Sequence, residues 1–78
     1  MSLSYTVFVI AAMKNNIRVE RAIVRMTQQQ LAEAVKVSRQ TINAIEAGKY
    51  VPSAVLALKI AKTFGKPVED IFSLEDND

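Results

Sequence analysis

From Thr27 onward the chain is marked at short intervals by residues that start or stop a helix: Thr27, Ser38, Gly48, Ser53, Gly65 and Pro67. Between these marks the pattern is helical, so the chain is limited to short helices. A short helix is marginal in water by itself and needs neighbours to cover its apolar stripe. Residues 14–25 form the first candidate, with Ile17, Ala22 and Val24 a turn or two apart. Thr27-Gln-Gln-Gln30 fits a capping box, so a second helix starts there with the stripe Leu31, Ala32, Val35. After Lys36-Val37, Ser38 can cap a third helix that runs to about Ala47, and Gly48 suits the left-handed position beyond its end. Lys49 to Pro52 reads as a loop. Ser53 caps a fourth helix carrying Val55, Leu56, Leu58, Ile60, Ala61 and Phe64, closed by Gly65. Pro67 opens a short fifth helix, where a missing N–H costs nothing, and Ile71, Phe72 and Leu74 are expected to return its apolar face to the core. The expected fold class is therefore all-α, a five-helix bundle.

The first twelve residues differ from the rest. Tyr5-Thr-Val-Phe-Val-Ile10 is β-branched and aromatic, like a strand. No basic flank precedes it, which argues against a secretory signal. Three readings stay open: a strand that pairs with its copy in a dimer, an added turn on the first helix, or a stretch upstream of a natural start at Met13. The expected division is an N-terminal extension over 1–12, a domain over 13–73 and an acidic tail over 74–78.

The residue inventory excludes several functions. The 78 residues allow one small domain. Cys and His are both absent, which removes the usual zinc sites, the Ser-His-Asp and Cys-His nucleophile systems and histidine acid–base chemistry. No cofactor, metal or catalytic residue is expected. The longest apolar run, Val7 to Met13, is far short of the ~20 residues that span a membrane. A soluble, cytoplasmic non-enzyme is the expectation. All ten Lys and Arg lie ahead of Glu69, where only Glu20, Glu33 and Glu46 oppose them, while the last ten residues hold five acids. A basic body with an acidic end suits a polyanionic partner, nucleic acid first.

The strongest signal is Thr27 to Gly48: a short capped helix, a tight turn and a second capped helix, the layout of a helix-turn-helix whose second helix enters the DNA major groove. At about 100° per residue, Ile42, Ile45 and Thr41 define the buried side of that second helix. Opposite lie Gln40, Asn43 and Ala47, flanked by Arg39 and Ala44. Arg pairs with guanine, Gln and Asn pair with adenine, and the Ala44 methyl can touch a thymine methyl. A merely solvated helix more often carries Glu and Lys there.

In these segments, and above all in Val37-Ser-Arg-Gln-Thr-Ile-Asn-Ala-Ile-Glu-Ala-Gly-Lys-Tyr-Val-Pro-Ser53, the chain resembles the phage repressor and Cro helix-turn-helix regulators, also called the xenobiotic-response-element family. The likeness covers residues 14–72 and is loosest over 14–26. It implies a repressor-like DNA-binding bundle with Arg39, Gln40, Asn43 and Ala44 facing bases. It implies phosphate contacts by Gln28, Ser38 and Lys49, with Tyr50 joining Lys49. It also implies a salt bridge between Arg21 and Glu46. Three positions depart from the family pattern. Lys36 stands where Gly is usual, placing a charge near the DNA and straining a left-handed turn by roughly 1 kcal/mol. Glu20 stands where many relatives have Leu. Gln30 replaces a common Glu.

The function expected on these grounds is a sequence-specific double-stranded DNA-binding transcriptional regulator, a repressor, acting as a homodimer with no small-molecule ligand evident. The rival is a protein-interaction module, such as an antitoxin-like subunit, built on the same fold. Glu or large apolar residues on the outer face of 39–47 would favour the rival, and neither is present there. An enzyme is the weakest alternative.

Overall fold

A computed structural model describes residues 13–74. In chain order it contains β1 (Met13–Asn15), α1 (Ile17–Val24), α2 (Gln28–Val35), α3 (Arg39–Glu46), α4 (Ala54–Phe64), α5 (Val68–Ile71) and β2 (Phe72–Leu74). The five helices begin and end where local chemistry directs. Thr27 Oγ1 accepts from the Gln30 N–H at 3.0 Å, and the Gln30 side chain accepts from the Thr27 N–H at 2.8 Å, so the capping box is complete without the usual Glu. Ser38 and Ser53 cap α3 and α4 by accepting from Thr41 N–H and Leu56 N–H at 3.1 and 3.2 Å. At the other end of α2, Lys36 takes the left-handed conformation (φ +62°), and Val37 N–H reaches back to the Ala32 carbonyl at 3.0 Å. Satisfying that carbonyl reverses the chain within two residues and aims α3 across α2.

α1 has no side-chain cap from Asn16. Asn15 does that work: its Oδ1 accepts from Ile17 N–H at 3.1 Å, and its Nδ2 donates to the Ile45 carbonyl at 2.8 Å. β1 and β2 pair antiparallel, with Met13 opposite Leu74 and Asn15 opposite Phe72, and Asn16 N–H donates to the Ile71 carbonyl at 2.8 Å. The two ends of the described chain are thus tied together beside the end of α3.

The core collects Ile17, Leu31, Ala32, Val35, Ile42, Ile45, Ile60, Ala61, Ile71 and Phe72, with Leu56, Ala57 and Phe64 packed against it. Each helix contributes, so none can be removed without exposing its neighbours' apolar faces.

Several sequence expectations need correction. Val24 and Ala22 do not share the core with Ile17; Val24 is exposed, and Glu20 is the buried residue of that face. The reason is visible at Lys66, whose Nζ lies 2.9 Å from Glu20 Oε2 and neutralises it. Val55 and Leu58 point outward from α4, because Ile60 and Ala61 set its buried face. Thr41 is only half-buried, its hydroxyl 2.9 Å from that of Ser38. Phe72 reaches the core from β2 and not from a helix, while Leu74 stays exposed, paired with Met13. The strand-like stretch Tyr5–Ile10 and the acidic residues 75–78 lie outside the described residues.

Candidate nucleic-acid interface

α2 and α3 pack on each other through Leu31, Val35, Ile42 and Ile45, which leaves the far side of α3 in solvent. Arg39, Gln40 and Asn43 are exposed there and border one shallow hollow. Arg39 also borders a second hollow, with Arg21, Thr27, Gln28 and Gln29. The two hollows meet at Arg39, so the start of α2 and the outer face of α3 form a continuous polar surface. Ala44 is half-buried at its edge.

Beneath this surface lies a charged network. Arg21 Nε lies 2.6 Å from Glu46 Oε2, and its second terminal nitrogen donates to Oε1 at 3.0 Å, a two-pronged pair. The same guanidinium donates to the Met26 carbonyl at 2.8 Å, which fixes the link between α1 and α2. Glu46 is nearly sealed from water, with 2% of its side chain exposed. Burial pushes its carboxyl up, but hydrogen bonds from Arg21 and Gln28 and the charges of Arg21 and Arg18 hold it below its ordinary value. The hydrogen bond to Glu46 likewise raises the Arg21 guanidinium, against burial. Gln28 Nε2 donates to Glu46 Oε1 at 3.2 Å and to Asn43 Oδ1 at 3.3 Å. A chain of contacts thus runs from α1 through α3 and α2 to the outer face of α3.

The remaining residues singled out in the sequence lie around this surface. Ser38 spends its oxygen on the cap. Lys49 and Tyr50 are exposed in the loop after α3, where Lys49 N–H closes the helix onto the Ala44 carbonyl at 2.9 Å. Tyr50 also borders a narrow cleft with Met13, Ile45 and Phe72, a packing role beside any other. Lys36 is exposed in the turn and borders a further hollow, with Lys59, Lys62 and Thr63.

Two contributors escaped the sequence reading. Arg18 lies 4.0 Å from Glu46, on the open side of the buried pair. Asn15 joins the sheet, α1 and the end of α3. An Asn two residues before a helix is a capping signal that could have drawn attention to it; its reach to Ile45 could not be foreseen.

Two capped helices in a tight turn, the second showing Arg, Gln and Asn to solvent, define a helix-turn-helix protein. The helix-turn-helix family model HTH_3, of Cro/C1 type, matches residues 17–71, and the chain belongs to that family. It is 56% identical over 66 residues to an uncharacterized HTH-type transcriptional regulator of Methanocaldococcus jannaschii, covering 85% of this chain and 100% of that protein. It is 52% identical over 64 residues to the uncharacterized HTH-type transcriptional regulator YgzD of Bacillus subtilis, covering 82% of this chain and 97% of that one. Among solved structures it is similar to a candidate DNA-binding protein from Bacteroides fragilis (TM-score 0.71, 28% identity, 78% of this chain and 98% of that chain). It is also similar to the clp gene regulator ClgR from Corynebacterium glutamicum (TM-score 0.67, 29% identity, 80% of this chain and 63% of that chain). Regulators of this class are not enzymes.

Proposed function

We propose that the chain is a DNA-binding transcriptional regulator that represses by occupancy, acting in the cytoplasm as a homodimer whose two α3 helices enter successive major grooves. The observation that carries this reading is the outer face of α3: Arg39, Gln40 and Asn43 exposed together, with the helix's only carboxylate, Glu46, turned inward onto Arg21. Arg39, Gln40, Asn43 and Ala44 face base edges. Phosphates are met by Lys49, by Tyr50 and Ser38 beside the groove, by Lys36 from the turn, and by the Gln28 backbone N–H, which opens α2 and has no partner within the helix. Two chains related by a two-fold axis present their recognition helices about 34 Å apart, one turn of DNA.

The test is a salt titration of binding to random duplex DNA. Only cations release counterions. With Lys49 and one of Lys36 or Arg39 engaged in each of two subunits, the log–log slope is about −4. A slope near zero removes this reading and favours a protein-interaction module on the same fold.

A further inference from the structure

We propose that Gln28 sets the polarity of the Asn43 side-chain amide, so that Asn43 offers N–H donors to the groove and reads guanine instead of adenine. The inference rests on the DNA-reading function proposed above and adds a specificity to it. Gln28 acts as a positioning residue.

The orientation is set at Glu46. Its carboxylate accepts from Arg21 at 2.6 and 3.0 Å and, being ionised, can only accept. The Gln28 side chain lies 3.2 Å from Glu46 Oε1, so the end of the amide that meets it must be the amino group. A Gln28 turned the other way would set a carbonyl oxygen against a carboxylate oxygen. The second hydrogen of the same amino group points to Asn43, 3.3 Å away. Asn43 must therefore turn its carbonyl oxygen towards Gln28, because the opposite orientation would oppose two amino groups. The contact to Glu46 is part-buried and the contact to Asn43 exposed, so the ion pair orients Gln28, and Gln28 in turn biases Asn43.

Asn43 is left with its amino group pointing away, and Nδ2 has no hydrogen-bond partner among the described residues. An asparagine reads adenine through two bonds, donating to N7 and accepting from the N6 amino group. With Oδ1 already engaged, the accepting half of that pair is weakened. Guanine offers O6 and N7 on its major-groove edge, two acceptors and no donor, and two N–H groups match it. Cytosine offers a donor there and is disfavoured. The general pairing of Asn with adenine, sound for a free side chain, is reversed by the neighbour.

The arrangement has a second consequence. Both Gln28 amino hydrogens are used inside the protein, and a phosphate only accepts. The Gln28 side chain therefore contributes to which base is chosen, and hardly to how tightly any DNA is held.

The experiment is selection of bound duplexes from a random library by the full chain and by three variants, with affinity for random DNA measured alongside. Asn43→Ala locates the base pair that Asn43 reads, as the position whose preference relaxes. At that position the unaltered chain is expected to favour guanine over adenine by about tenfold. Gln28→Leu frees Oδ1 and should move the preference at that position from guanine to adenine. Asn43→Asp, at an exposed position that does not test the fold, keeps an acceptor for Gln28 but loses both donors; guanine preference should vanish in favour of cytosine. Adenine selected by the unaltered chain, an unchanged base in Gln28→Leu, guanine retained by Asn43→Asp, or no position relaxed by Asn43→Ala overturns the inference. Those results leave the DNA-binding function standing. Absence of any binding to duplex DNA removes that function, and the inference with it.

Discussion

At Glu46 a carboxylate sits out of water with the Arg21 guanidinium against it, and the energetics follow from that isolation. Removing one partner of such a pair leaves a charge in a poor solvent. Arg21→Ala should cost about 3 kcal/mol, and Arg21→Ala with Glu46→Ala should cost less than the two single changes added, as read in urea melts. The carboxyl is held below its ordinary value of 4.5. A depressed acid stabilises the folded state above that unfolded value and loses its contribution as pH falls towards the folded one. Stability should therefore decline as pH drops below 4.5, and Glu46→Gln should lack this part of the decline; equal pH profiles would show that the pair is not held as described. On the outer face a different division is expected. Gln40→Ala should cost about 1–3 kcal/mol on the best site and relax one base pair per half-site, with little effect on random DNA. Lys49→Ala should weaken all sequences alike and flatten the salt slope by about one unit per subunit. A selected motif unchanged by Gln40→Ala would remove Gln40 from the reading face.

At the scale of the element, the helices were legible because caps are local. Thr27, Ser38 and Ser53 each bond to a backbone N–H three residues on, a contact that needs no knowledge of the fold. Thr27→Ala should lose about 1 kcal/mol, since it removes the Oγ1 that accepts from the Gln30 N–H, while the bond from the Thr27 backbone N–H to the Gln30 side chain stays available. Lys36 is the converse case: a side chain at φ +62° where glycine is at ease. Lys36→Gly should raise the melting midpoint by an amount equivalent to roughly 0.5–1 kcal/mol; a fall would mean that the Lys36 side chain has a stabilising contact that outweighs the strain. The strands were not legible. Met13-Lys-Asn15 and Phe72-Ser-Leu74 are too short to show an alternating pattern, and their pairing joins the two ends of the described chain. The stripe on α1 is only partly buried: Val24 is exposed, and Glu20, paired with Lys66, is buried on the same helix.

For the whole molecule, a two-fold dimer on DNA has a geometric signature. The selected site should contain two half-sites about 10–10.5 base pairs apart, and native mass spectrometry of the complex should count two chains per duplex. One chain per duplex would overturn the homodimer. Capping bonds, left-handed turns and helical periodicity act within a few residues, so the number of helices, the caps and turns from Thr27 onward and the polar character of the α3 face can be read from the chain, while the start of the first helix, which follows β1, cannot. The burial of Glu20, the apolar residues left outside and the pairing of the amides came only with the assembled fold, whereas the Arg21–Glu46 pair was already implied by the family resemblance. Those choices depend on pairs far apart in the chain: Glu20 with Lys66, Asn15 with Ile45, Gln28 with Asn43. A buried polar group is tolerated only where a partner arrives, and folding is what brings the partner there.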